Sequence, residues 1–176
     1  MDILISSNLE RLLYDLSGCD DAKIRDYMDS LAKDGTYEVD SCIKNTLGEY
    51  FWAGCCDDDG TKQTIKDIYS RFSYVCDPHT AVAVNVLRQY REKTADTSKT
   101  IIASTASPFK FAGNVLEAIK GSEAKASEPE MLEQLAKLAM SRAPKQISGL
   151  FNLPVRFDAS CEKSDMPEVI LNSLGI

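Results

Sequence analysis

The sequence predicts an α/β domain in which several helices cover a small, mainly parallel sheet. Two observations carry that expectation. Helical periodicity recurs along most of the chain, with apolar residues spaced by three and four. Two stretches, "ILISSNLERLL" and "IIASTASPFKF", also share one grammar: a short apolar run, a polar turn, then a helix. The whole chain, 1–176, reads as a single domain, long enough to bury its own core.

Each element has its own justification. Ile3-Leu4-Ile5 predicts a buried strand. Ser7 stands three residues before Glu10, the spacing of a capping box, and opens a helix on Leu9, Leu12, Leu13 and Leu16 that stops at Gly18. Asp20-Asp21 leads into a second helix on Ile24, Tyr27, Met28 and Leu31, with Gly35 as its C-terminal stop. "TYEV" is a short strand candidate, and Ser41 to Gly48 reads as a short helix. The polar "CCDDDG" precedes a helix carrying Ile65, Ile68, Tyr69 and Phe72. Asp77 caps the next helix, Pro78 fits its first turn, and Val82, Val86 and Tyr90 follow at intervals of four. After the polar hinge "TADTSK" comes the β-prone run "TIIAST". Ser107 and Pro108 then begin a helix whose inner face is Phe111, Val115, Leu116 and Ile119. A further helix lies on Leu132, Leu135 and Leu138, and a last strand is expected near Val155–Phe157. From about Cys161 the tail is weakly patterned.

Composition narrows the function. The net charge is −7, and no stretch clusters Lys and Arg among aromatics, which argues against nucleic acid as a partner. No apolar run approaches the roughly 20 residues that span a bilayer. The first residues, with Asp2 and Glu10, are not a basic-then-apolar signal peptide, so a cytoplasmic location is expected. The six cysteines contain no C-x-x-C pair, which argues against zinc. They are expected to be small buried apolar residues rather than disulfides. "DDDG" at 57–60 lacks the alternate spacing of a calcium loop and reads as a solvated turn or helix start.

In an open α/β sheet, ligands gather where strands end and helices begin, because free N–H groups and the helix dipole point there. "IIASTASPFKF" places Ser104, Thr105 and Ser107 at such a junction. His79, the sole histidine, invites a general-base role, but its place after Asp77-Pro78 favours a ring held by a neighbouring carboxylate or backbone group. Ser6, Ser7 and Asn8 read first as turn and cap.

Three motifs together resemble the threonine synthases, pyridoxal-phosphate enzymes of the tryptophan-synthase-β-like fold. "DILISSNLERLLYDLSG" is similar to the family's DI-x-x-SSN-[FL]-ERLL stretch, "DPHTAVAV" to its DPHTAVG helix start, and "STASPFKF" to its STAxPxKF turn. They occur in the family's order from Asp2 to Phe111; beyond that the fit is loose. The resemblance implies conversion of O-phospho-L-homoserine and water into L-threonine and phosphate. It places the lysine that carries the cofactor as a Schiff base, and the glycine-rich phosphate loop, upstream of the SSN segment. The chain is accordingly expected to be a C-terminal part, inactive alone, whose partner is the missing N-terminal part of the same enzyme.

By the match to STAxPxKF, the resemblance assigns Thr105, and second Ser104, to the hydroxyl that meets the pyridine nitrogen of pyridoxal phosphate. Without it, a Thr at a strand end serves equally to satisfy backbone groups before a helix. Ser107 departs from members with His there and keeps only a capping role. Lys110 sits in a first helical turn, where the dipole disfavours a cation. That misfit suggests substrate phosphate nearby, with a solvated lysine as the alternative. Rival readings are a fragment of another lyase of the same fold and a stand-alone binding domain. A severed part should expose apolar surface where its neighbours docked.

Overall fold

The computed structural model describes residues 5–122, 125–156 and 159–176. The chain divides into two compact units, one made of residues up to Cys55 together with Arg88–Thr97, the other of Cys56–Leu87 and Ser98–Ile176.

The first unit gathers α1 (Ser7–Leu16), α2 (Asp21–Asp34) and α3 (Ser41–Tyr50) around buried Leu13, Ile24 and Ile43. Each helix begins on a side-chain oxygen that takes an otherwise orphaned N–H. Ser6 accepts from Leu9 N at 3.3 Å, Asp20 from Lys23 N at 3.0 Å, and Asp40 from Ile43 N at 3.0 Å. The first cap is thus Ser6, not Ser7; two adjacent serines offer the same chemistry, and the chain uses the earlier one. Gly35 ends α2 at φ 71°, a left-handed turn that costs glycine little. Tyr37 stacks on Tyr27 with centroids 5.6 Å apart, and Val39 joins the same cluster. "TYEV" therefore contributes to the core as irregular chain.

The second unit is larger. It contains α4 (Asp58–Phe72), the start of α5 (Pro78–Thr94), a 3-10 turn at Pro108–Phe111, α6 (Ala112–Lys120), α7 (Glu128–Leu138), the short α8 (Lys145–Ser148) and α9 (Met166–Leu174). Helices α4 and α7 both pack on α6. Their apolar stripes close over Ile65, Ile68, Val115, Leu116, Ala118, Leu132 and Leu135, with Val75, Cys76, Ala81 and Phe109 completing the core. Lys62 on α4 donates to Glu117 on α6 at 2.8 Å. Asn85 on α5 donates to Thr64 on α4 at 3.1 Å.

The expected α/β architecture is overturned. Among the described residues the chain is helical, with no strand and no sheet. A strand exists only when a neighbour takes its alternating N–H and C=O groups. The apolar runs at 36–39, 100–105 and 155–156 are not paired with one another. Ile101 is 96% exposed instead of buried in a layer. Ile3, Leu4 and Phe157 lie outside the described residues. Three smaller expectations also change. Cys76 is buried, but Cys19, Cys42, Cys55 and Cys161 are exposed. Phe72 is exposed, and Phe109 is the buried residue before α6, with Phe111 packed half-buried against the same core. The tail forms α9, with Pro167 in its first turn and Gly175 closing it at φ 71°.

Candidate functional site

The start of α5 and the segment before the 3-10 turn meet within the second unit. Asp77 is 1% exposed and carries three donors. Its Oδ1 accepts from the backbone N–H groups of His79 at 2.9 Å and Thr80 at 3.2 Å. Its Oδ2 accepts the hydroxyl of Thr80. Proline at position 78 lacks an N–H, so no donor of this first turn is left over. The aspartate that was expected to cap α5 does so, and Thr80 comes with it.

Thr80 is buried, and its Oγ1 lies 3.0 Å from Oγ of exposed Ser104. Thr105, the next residue, is exposed. Asp77, Thr80 and Ser104 thus form one hydrogen-bonded chain running from the interior to the residue beside Thr105. Ser107 accepts from Phe109 N at 3.4 Å and caps the 3-10 turn. Lys110, in that turn, is exposed at the edge of an open groove of about 770 Å³. Phe109, Phe111, Met131, Leu132 and Phe151 supply much of its apolar lining. His79 places Nδ1 3.3 Å from Asp77 Oδ1, and its ring lies 5.2 Å from that of Phe111, tilted by 52°. It is held by a carboxylate and an aromatic face.

Just before this chain, Cys76 is buried. Burial, and then the charge of Asp77, push its thiol up to about 11. It is a neutral packing group at physiological pH, not a nucleophile. Among the described residues no cluster of three or more His, Cys, Asp or Glu could hold a metal ion. No helix among them is long and apolar enough to cross a membrane.

The structure brings Ser104 into contact with Thr80 and leaves Thr105 and Lys110 open to solvent. Sequence reasoning overlooked Thr80. The signal was present, since a Thr three residues after a capping Asp can return its hydroxyl to that carboxylate. The partner Ser104 is twenty-four residues away in sequence, and local spacing cannot reveal it.

Comparisons with known proteins agree on one family. Residues 80–169 match the family model described as threonine synthase, C-terminal. The threonine synthase of Corynebacterium glutamicum is 32% identical over 176 residues, covering 98% of this chain and 34% of its own length. The crystal structure of threonine synthase from yeast superimposes with a TM-score of 0.73 at 31% identity, covering 99% of this chain and 35% of that one. A pyridoxal-phosphate-bound threonine synthase from Brucella melitensis gives 0.62 at 34% identity over 81% of this chain and 29% of its own. The chain spans about a third of the length of the curated relatives it matches.

Proposed function

The chain belongs to the threonine synthase family, and from that premise we propose that it forms the C-terminal part of an enzyme converting O-phospho-L-homoserine and water into L-threonine and phosphate. The observation that carries this reading is the family match across 80–169, which includes the Ser104–Thr105 site and Lys110. The cofactor in this reading is pyridoxal phosphate, as in the solved relative from Brucella melitensis.

The residues fit that group. A neutral pyridine nitrogen accepts a hydrogen bond, so it needs a hydroxyl donor rather than a carboxylate. Thr105 and Ser104 supply hydroxyls at an exposed position, while the neighbouring Asp77 is buried with its oxygens already engaged. Thr105 donates to the ring nitrogen in this reading, with Ser104 second. Pyridoxal phosphate, when bound, supplies the electron sink for the reaction. Lys110 offers its ammonium to the substrate phosphate from the rim of the groove.

By itself the chain is proposed to be inactive, since the cofactor lysine and phosphate loop belong to the part that precedes the SSN segment in the family. The other part of the enzyme is its partner. Apolar residues left open support this: Leu150, Leu153 and Val155, and Met166, Ile170 and Leu174 on α9, are all exposed. Six free thiols fit a reducing, cytoplasmic compartment.

The test measures phosphate release from O-phospho-L-homoserine by this chain alone and by a complete enzyme that carries it as its C-terminal part. Activity is expected only from the second, with a loss of about tenfold or more on Thr105→Val. Phosphate release by the chain alone refutes its proposed inactivity. A loaded complete enzyme that produces no threonine refutes the function.

A further inference from the structure

We infer that Thr80, anchored on Asp77, is a positioning residue: it takes the Ser104 proton, fixes the backbone beside Thr105, and so leaves Thr105 as the one hydroxyl of the pair able to donate to the cofactor ring. The inference rests on the cofactor reading above and goes beyond it, because it ranks the two hydroxyls and assigns a function to two buried residues.

Proton counting gives the ranking. A hydroxyl carries one proton and two lone pairs. The Asp77 carboxylate has no proton to give, so the short contact between its Oδ2 and Thr80 takes the Thr80 proton. Thr80 Oγ1 then meets Ser104 only as an acceptor, and the proton across their 3.0 Å contact is that of Ser104. Ser104 therefore faces outward with lone pairs alone. An unprotonated pyridine nitrogen gains nothing from a second acceptor. Thr105 is the neighbour that still holds a donor.

Burial gives the positioning. Asp77 and Thr80 are 1% and 6% exposed, tied into the first turn of α5 by two backbone N–H groups. Ser104 lies in irregular chain, with no ladder to hold it. Its contact with Thr80 ties that segment to α5. Both ends of the tether are needed: a methyl group in place of either hydroxyl breaks it, and at Thr80 it also leaves the buried Asp77 Oδ2 without its hydroxyl donor.

Four variants test this. In the present chain, NMR side-chain couplings of Thr105 and amide exchange at 104–106 report the order of the segment. In a complete enzyme with 15N-labelled pyridoxal phosphate, the ring-nitrogen signal reports the hydrogen bond directly. Thr80→Val and Ser104→Ala are both expected to average the Thr105 rotamer, speed exchange at 104–106 several-fold and move the nitrogen signal toward that of a free neutral pyridine. Thr80→Ser is expected to restore all three readouts. If Thr105→Val moves the nitrogen signal but Thr80→Val and Ser104→Ala do not, the positioning role is wrong and the cofactor reading stands. If Thr105→Val leaves the signal unmoved, the cofactor reading itself fails. Failure of Thr80→Ser to restore the signal reduces Thr80 to packing. Should Thr80→Val not fold, Ser104→Ala, at an exposed position, still decides.

Discussion

The two units are stabilised differently. Among the described residues, the unit built on α1, α2 and α3 closes over three buried side chains, Leu13, Ile24 and Ile43. The unit built on α4, α6 and α7 closes over eleven. A small interior leaves more of the stability to helix caps, aromatic contacts and ion pairs, whereas a large one draws it from apolar burial. The candidate site lies wholly in the larger unit. In sequence, Asp77 and Thr80 of its polar chain are flanked by Cys76 and Ala81, both members of that larger core.

Truncating one leucine in each unit tests this contrast most severely. Leu116 is fully buried between α4 and α7, so Leu116→Ala should cost about 3–5 kcal/mol of local stability. Leu13 is equally buried, but its neighbours Leu16, Met28 and Leu47 are only partly covered and can close in. Leu13→Ala should therefore cost about 2–3 kcal/mol. Amide exchange, read separately for α6 and for α1, measures both. Equal costs would mean that the smaller core is as tightly packed as the larger.

Cys76 extends the contrast through its chemistry. Its thiol is raised from 9.0 to about 11 by burial and by Asp77. The neutral form is thus favoured by folding, so this contribution is complete below pH 9 and disappears as pH rises through 11. The larger unit should lose on the order of 2 kcal/mol across that window, and Cys76→Ala should flatten the dependence. A thiol reagent at neutral pH should modify exposed Cys19, Cys42 and Cys55 promptly and Cys76 only as the larger unit opens. Prompt modification of Cys76 would show that this core is open on the labelling timescale.

Helices were legible in the sequence because their signals are local. Asp20, Asp77, Ser107 and Gly35 each announce a helix end through a contact within four residues. The sheet was misread for the opposite reason. "TIIAST" has strand composition, but pairing is a property of neighbours, and no other described segment aligns with it. Phe109 joins Phe111, which packs half-buried against the core, because the turn after Ser107 is 3-10, which changes the inward face relative to α-helical spacing. At the site, the motifs found Thr105, Ser104 and Lys110 as positions, but the hydrogen-bonded chain beneath them was hidden. Thr80 and Ser104 meet only through the tertiary fold.

The smallest expected effect concerns the polar support of the smaller unit. Lys23 on α2 donates to Asp40 at 2.7 Å, and Asp40 also caps α3. The hydrogen bond from Ile43 N, and then Lys23, hold the Asp40 carboxyl below its usual range, while the same contact raises Lys23. The depressed carboxyl contributes stability above pH 3.8 that is lost as pH falls through its lower folded value. The raised ammonium contributes below pH 10.5 and fades as pH climbs past its folded value. Both side chains are more than a third exposed, so solvent and salt screen the pair. Asp40→Asn keeps the capping oxygen and removes only the charge; it should destabilise α1–α3 slightly at neutral pH and low salt, and not at all at high salt. Asp40→Ala removes the cap as well and should cost more at every salt concentration. Thermal melts followed by the NMR signals of Leu13 and Ile43 separate the two. If the Asn and Ala variants melt together, the ion pair rather than the cap supports this unit, and its reliance on helix capping has been overstated.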